Sequence, residues 1–151
     1  MTDQQTTETS KFPVKLSFEE AATQLDLVVR TKGEDHIDQG TTFGYVYFKD
    51  GGPSCIVGHL LAKHGIEQAD LEQYEPPTED MRRFYGRKRD ANKSTGVEKL
   101  RRLKIIDVDD TTLEMLSEAQ KKNDARLPWR RAFDRAIERA AAFGRTWSRK
   151  D

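Results

Sequence analysis

The sequence predicts an α-rich α+β domain, with five to six helices around a minimal two-stranded sheet. Three features lead there. Ser/Thr-x-x-Glu capping boxes recur before apolar residues at helical spacing, and one aromatic, β-branched run reads as a strand. The length of 151 residues fits a single domain. Leu, Ile, Val and Phe together number 31, close to the lower edge of what a packed core tolerates.

Along the chain, residues 1–15 are polar and without period, and read as a flexible tail ahead of a globular domain over 16–145. Ser17-Phe18-Glu19-Glu20 is a capping box, and Ala21, Ala22, Leu25, Val28 and Val29 share one helical face. A helix is expected over 17–31, followed by an acidic loop from Gly33 to Gly40. Residues 42–48 form the strand, ending in the Asp50-Gly51-Gly52-Pro53 turn. Ser54 is placed to cap a nearly apolar helix carrying Ile56, Val57, Leu60 and Leu61. Gly65 closes it as a left-handed cap, with Ile66 folding back.

A short helix is expected before Pro76-Pro77, another from Thr78 through Tyr85, and a mobile basic loop over 86–96. Thr95-Gly96-Val97-Glu98 opens a helix with Val97, Leu100 and Leu103 inward, and Ile105, Ile106 and Val108 suit a short strand. Thr111-Thr112-Leu113-Glu114 opens the next helix, and Pro128 suits the first position of the last one. There Trp129, Phe133, Ala136, Ile137 and Ala140 line one face. Residues 146–151 are expected to fray.

Charge sharpens the functional reading. Twenty-six basic and twenty-six acidic residues cancel overall, but residues 1–80 hold 6 basic against 15 acidic ones, and 81–151 hold 20 against 11. Two explanations compete: the halves neutralise each other within the fold, or one of them meets a charged partner. The strongest local excess, ten basic against two acidic, lies in 81–104. Within it Arg82, Arg83, Phe84, Tyr85, Arg87, Lys88, Arg89 and Lys93 mix cations for phosphates with aromatics able to stack on unpaired bases. The competing explanation is that Phe84 and Tyr85 anchor a helix while the cations are hydrated. Arg131, Arg135 and Arg139 form a second stripe, with Asp134 and Glu138 as neighbours on the same helix.

Other chemistry is thinner. Cys55 and His59 stand one helical turn apart, with the thiol in the first turn, the spacing of an activated thiolate. Free cysteine is equally a buried core residue, and no orienting Asn or Asp is specified. Three histidines and one cysteine, without paired couplets, give no zinc site, and no cofactor is expected. Gly51-Gly52-Pro53-Ser54 lacks the lysine and glycine spacing of a phosphate loop. No run nears the roughly 18 apolar residues of a membrane span, and the first residues carry no apolar signal region. The single cysteine fits a reducing cytoplasm.

The stretch Val46–Gly65, with its Asp-Gly-Gly-Pro-Ser-Cys-Ile-Val-Gly-His core, is one half of a resemblance. Ala119-Gln120, Asn123-Asp124, Pro128-Trp129 and Ala132 are the other. Together, over about 17–64 and 105–141, they resemble short proteins of unknown function common in actinobacteria and their bacteriophages. The resemblance implies a cytoplasmic accessory protein and carries no activity, and the basic 78–96 region has no counterpart in it. The resulting expectation is a non-catalytic interaction protein that binds a host protein or nucleic acid, not a membrane. A nucleic-acid binder working through 82–93 and a thiol enzyme centred on Cys55 and His59 are the alternatives.

Overall fold

The computed structural model describes residues 11–37, 47–49, 52–72 and 96–149. Its elements in chain order are β1 (Val14–Lys15), α1 (Phe18–Lys32), β2 (Phe48–Lys49), β3 (Gly52–Pro53), α2 (Ile56–Lys63) and α3 (Gln68–Glu72). Then come α4 (Gly96–Arg102), β4 (Ile106–Asp107), α5 (Asp110–Asp124) and α6 (Trp129–Ala142). Among the described residues, six helices with a two-stranded parallel sheet make this an α-rich α+β fold. None of the described helices is long and apolar enough to cross a membrane.

The sheet differs from expectation in its partner. Val14 pairs with Ile106 and Lys15 with Asp107 in parallel register, so β4 meets residues expected to lie in the tail. Val14 and Leu16 are buried on either side of exposed Lys15, a strand alternation too short to register as a period. Of the expected 42–48 strand, only its end is described. Phe48 and Lys49 form a hairpin with Gly52 and Pro53 rather than pairing with β4.

Each parallel strand runs within two residues into a helix N-cap. The Ser17 hydroxyl accepts from the Glu20 amide at 3.0 Å while the Glu20 carboxylate accepts from the Ser17 amide at 2.9 Å, completing the expected capping box. On the other arm the cap is Asp109, whose Oδ1 accepts from the Thr112 amide at 2.9 Å. The helix therefore starts ahead of the expected Thr111 box. A carboxylate at that position also suits the positive end of the helix.

Four helices stop in the same way. Gly65, Lys104, Arg126 and Gly144 all have left-handed φ values, and in each case the next amide bonds back to a carbonyl in the helix's last turn. At Gly65 this brings Ile66 back to Leu61, as the sequence implied. The turn through Arg126 reverses the chain, so α5 and α6 pack along each other as a helical hairpin. Pro128 is the N-cap of α6, one residue before its expected place, and has no side-chain oxygen to offer. Backbone carbonyls of the loop after α1 take over: His36 accepts from the Trp129 amide and Glu34 from that of Arg130.

α1, α2, α5 and α6 enclose the core, whose largest fully buried side chains include Trp129, Leu25, Ile56, Leu60, Leu61 and Met115. Residues 145–149 lie along the body, with Trp147 packed edge-on against Phe133 and its Nε1 donating to Thr23 Oγ1 at 3.2 Å.

Candidate functional site

Cys55, not Ser54, is the N-cap of α2: its carbonyl accepts the first helical bond, from the His59 amide at 2.9 Å, while the Ser54 amide donates to the Tyr47 carbonyl at 2.8 Å. The Cys55 sulfur accepts from the Gly58 amide at 3.3 Å and the residue is 2% exposed. His59 lies one turn on, as the spacing required. Its Nδ1 is 2.9 Å from the Cys55 carbonyl, a bond in which the ring nitrogen donates. Its ring meets Trp129 edge-on at 5.2 Å, and His36 meets the same indole at 4.5 Å. The two expected residues thus come together, with the imidazole nitrogen nearest the cysteine given to its backbone and the thiol buried as a helix cap.

The remaining first-turn amides of α2 are met from across the core. Ile56 donates to Asn123 Oδ1 at 3.1 Å and Val57 to Gln120 Oε1 at 3.3 Å. Asp124 Oδ1 in turn accepts from Gln120 Nε2 at 2.9 Å and Asn123 Nδ2 at 3.1 Å. One carboxylate oxygen thereby fixes the orientation of both amides, so that both carbonyl oxygens face α2. Among the described residues no group of three or more His, Cys, Asp or Glu is arranged to hold a metal ion.

A second cluster had no sequence signal. Asp26 on α1 is almost fully buried, yet it receives three arginines. Oδ1 accepts from Arg130 Nη1 at 3.0 Å and Arg149 Nη2 at 2.9 Å. Oδ2 accepts from Arg149 Nε at 2.9 Å and Arg30 Nε at 3.2 Å. Arg130 also reaches Glu34 at 3.3 Å. Burial pushes the Asp26 carboxyl up, but the hydrogen bonds from Arg149 and Arg130, with their charges, outweigh it and hold it below the usual aspartate range.

Where β1 and β4 end, Lys15, Ser17, Glu20, Asp107 and Asp109 line an open cleft of about 410 Å³. Glu20 and Asp109 already place carboxylates at the two helix N-termini there, which disfavours an anion in the cleft. On α6, Arg131 and Arg135 are exposed as expected, while Arg139 pairs with Glu114 on α5 at 3.1 Å rather than along its own helix. Arg82, Arg83, Phe84, Tyr85, Arg87, Lys88, Arg89 and Lys93 lie outside the described residues.

No family model matches the chain, and neither a curated protein nor a solved structure does.

Proposed function

We propose that this is a small, non-catalytic, phage-related interaction protein that works in a host cytoplasm by docking an acidic host protein on its basic 82–93 segment. One observation carries the reading: at the described contacts between the oppositely charged halves the charges are matched, and the largest basic excess of the sequence falls in another stretch of it. Asp26 and Glu34 of the acidic half are paired with Arg130 and Arg149 of the basic half. Residues 82–93, in contrast, hold six basic residues against one acidic. Opposed potentials favour fast, salt-sensitive encounter with such a partner. The polar groups around Cys55 support the non-catalytic part, since the thiol, Gln120 and Asn123 are all spent on capping α2.

The test is capture of a partner from actinobacterial lysate by the purified full chain, with and without nuclease. A protein retained after nuclease, and lost when Arg87, Lys88 and Arg89 are replaced by Ala, supports the proposal. Loss of capture on nuclease treatment makes the partner a nucleic acid instead. Capture indifferent to the triple replacement removes the basic segment from the function.

A further inference from the structure

Residues 145–149 are attached to the body in an unusual way. Beyond the Arg145 amide, which closes the end of α6 on Ala140, the described attachment runs through side chains. Arg145 pairs with Asp109 at 3.1 Å and lies over the Phe18 ring. Trp147 packs on Phe133 and donates to Thr23. Arg149 forks onto Asp26. The segment is neither helix nor strand, and Arg149 is 42% exposed while the Asp26 side chain that receives it is 2% exposed. A short irregular segment at the surface, held mainly through side chains in its described contacts, is the kind that opens locally while the rest of the fold stays closed.

The receiving group belongs to the body. With Arg149 removed, Asp26 Oδ1 still accepts from Arg130 and Oδ2 from Arg30, so neither oxygen is orphaned and the carboxylate stays oriented. Glu34 on the far side of Arg130 offsets the second cation. What remains is a carboxylate, buried while the segment is seated, that is aimed at a forked donor one turn along α1 from the Thr23 hydroxyl and beside the Phe133 ring. A buried planar acceptor beside an aromatic edge is the environment in which arginine and tryptophan anchors act as binding hot spots.

We infer that the α1–α6 seam is a binding site for an arginine-bearing peptide of a partner protein, with an aromatic residue two positions before the arginine. Residues 145–149 are its occupant in cis. The partner's chemistry is read from the segment seated there: a guanidinium for Asp26 and an aromatic N–H for Thr23. The tethered segment competes at high local concentration, so an incoming peptide binds the unmodified chain weakly and gains when the segment is vacated. The site uses no residue of the basic segment and stands even if 82–93 binds nothing.

The test uses the full chain and a labelled, amidated peptide Arg-Thr-Trp-Ser-Arg. Trp147→Ala with Arg149→Ala vacates the seam, and this chain is expected to bind the peptide at least about tenfold more tightly than wild type. A peptide ending in Lys should lose at least about tenfold, because an ammonium cannot fork onto the carboxylate. Amides of 146–149 in wild type should exchange with solvent far faster than those of α1 and α6. Four outcomes overturn the proposal: no saturable binding to the vacated chain, equal binding of the Lys peptide, loss of cooperative folding on vacating the seam, or a concentration-dependent wild-type dimer, which would make a second copy the occupant.

Discussion

Asn123 accepts the Ile56 amide at 3.1 Å across 67 positions of sequence, and by that bond α5 caps the buried start of α2. Removing a buried acceptor leaves its donor desolvated without compensation. Asn123→Ala should therefore cost about 1–3 kcal/mol, read as a lower urea midpoint with an unchanged slope. Asp124→Ala removes only the oxygen that orients the two amides and should cost less. The reverse order would mean that the amides need no external orientation.

Tyr47 and Gly58 make a close approach of a different kind. A β-carbon at position 58 would collide with the Tyr47 carbonyl, which is backbone and already bonded to the Ser54 amide. Gly58→Ala should thus destabilise by about 1–3 kcal/mol although alanine is the better helix former. A stability equal to or above wild type would place the hairpin further from α2.

Arg126 and Lys104 invite the opposite change. Both are exposed, both are left-handed, and both stand where helices favour glycine. Arg126→Gly relieves a Cβ clash at a site where the side chain is solvated, and should raise stability by about 0.5–1 kcal/mol. A drop in melting temperature would show that the Arg126 side chain contributes more than its backbone strain costs.

These examples divide what the sequence carries from what only packing supplies. The Ser17 box and the Gly65–Ile66 stop were legible because their partners lie three to five residues away. The β1–β4 pair was not: Val14-Lys15 is too short to show alternation, and its partner stands on the far side of the chain. Ser54 was the better cap by residue type, but its amide pairs back to Tyr47 in the hairpin and the first helical bond falls on the Cys55 carbonyl, one residue later. Asp26 reads as one more solvated helix acid until residues 104 and 123 positions away fold onto it. The polar amides Gln120 and Asn123 gain their role only once α5 lies against α2.

The carboxylates give stability an acid limb. Asp26 is held low by its arginines, against burial, Asp109 chiefly by the Thr112 amide, and Asp70 chiefly by the hydrogen bond from Lys11. A carboxyl depressed on folding contributes fully above its unfolded value of about 3.9 and loses that contribution as pH falls through the folded value. Urea midpoints should be level from neutrality to about pH 5 and then decline. Asp26→Asn should flatten part of that decline while lowering the plateau. An acid limb identical to wild type would show that Asp26 does not titrate differently on folding.

Cys55 should behave as a structural cap. Its burial and its bond from the Gly58 amide predict that the native thiol reacts with a disulfide reagent only as fast as the chain opens, with full reactivity in denaturant. Cys55→Ser keeps a capping oxygen and should fold near wild-type stability. Rapid labelling of the folded chain would bring the thiol back as a reactive group.

The basic segment gives the most direct test of function. Replacing Arg87, Lys88 and Arg89 removes three of the six cations in 82–93. With a nucleic acid, each phosphate contact releases about one counterion, so the triple variant should flatten the logarithmic salt dependence by about three. With an acidic protein the change is smaller and falls mainly on the association rate, because rim charges steer encounter more than they hold the complex. Melting temperature should hardly move if these side chains serve the partner, and should fall if they serve the fold. Phe84→Ala then separates the two uses of the aromatic: a core anchor costs stability, and a stacking platform costs single-strand affinity alone. A triple variant that binds its captured partner with unchanged rate and salt dependence would leave the charge segregation of this chain without a role in recognition.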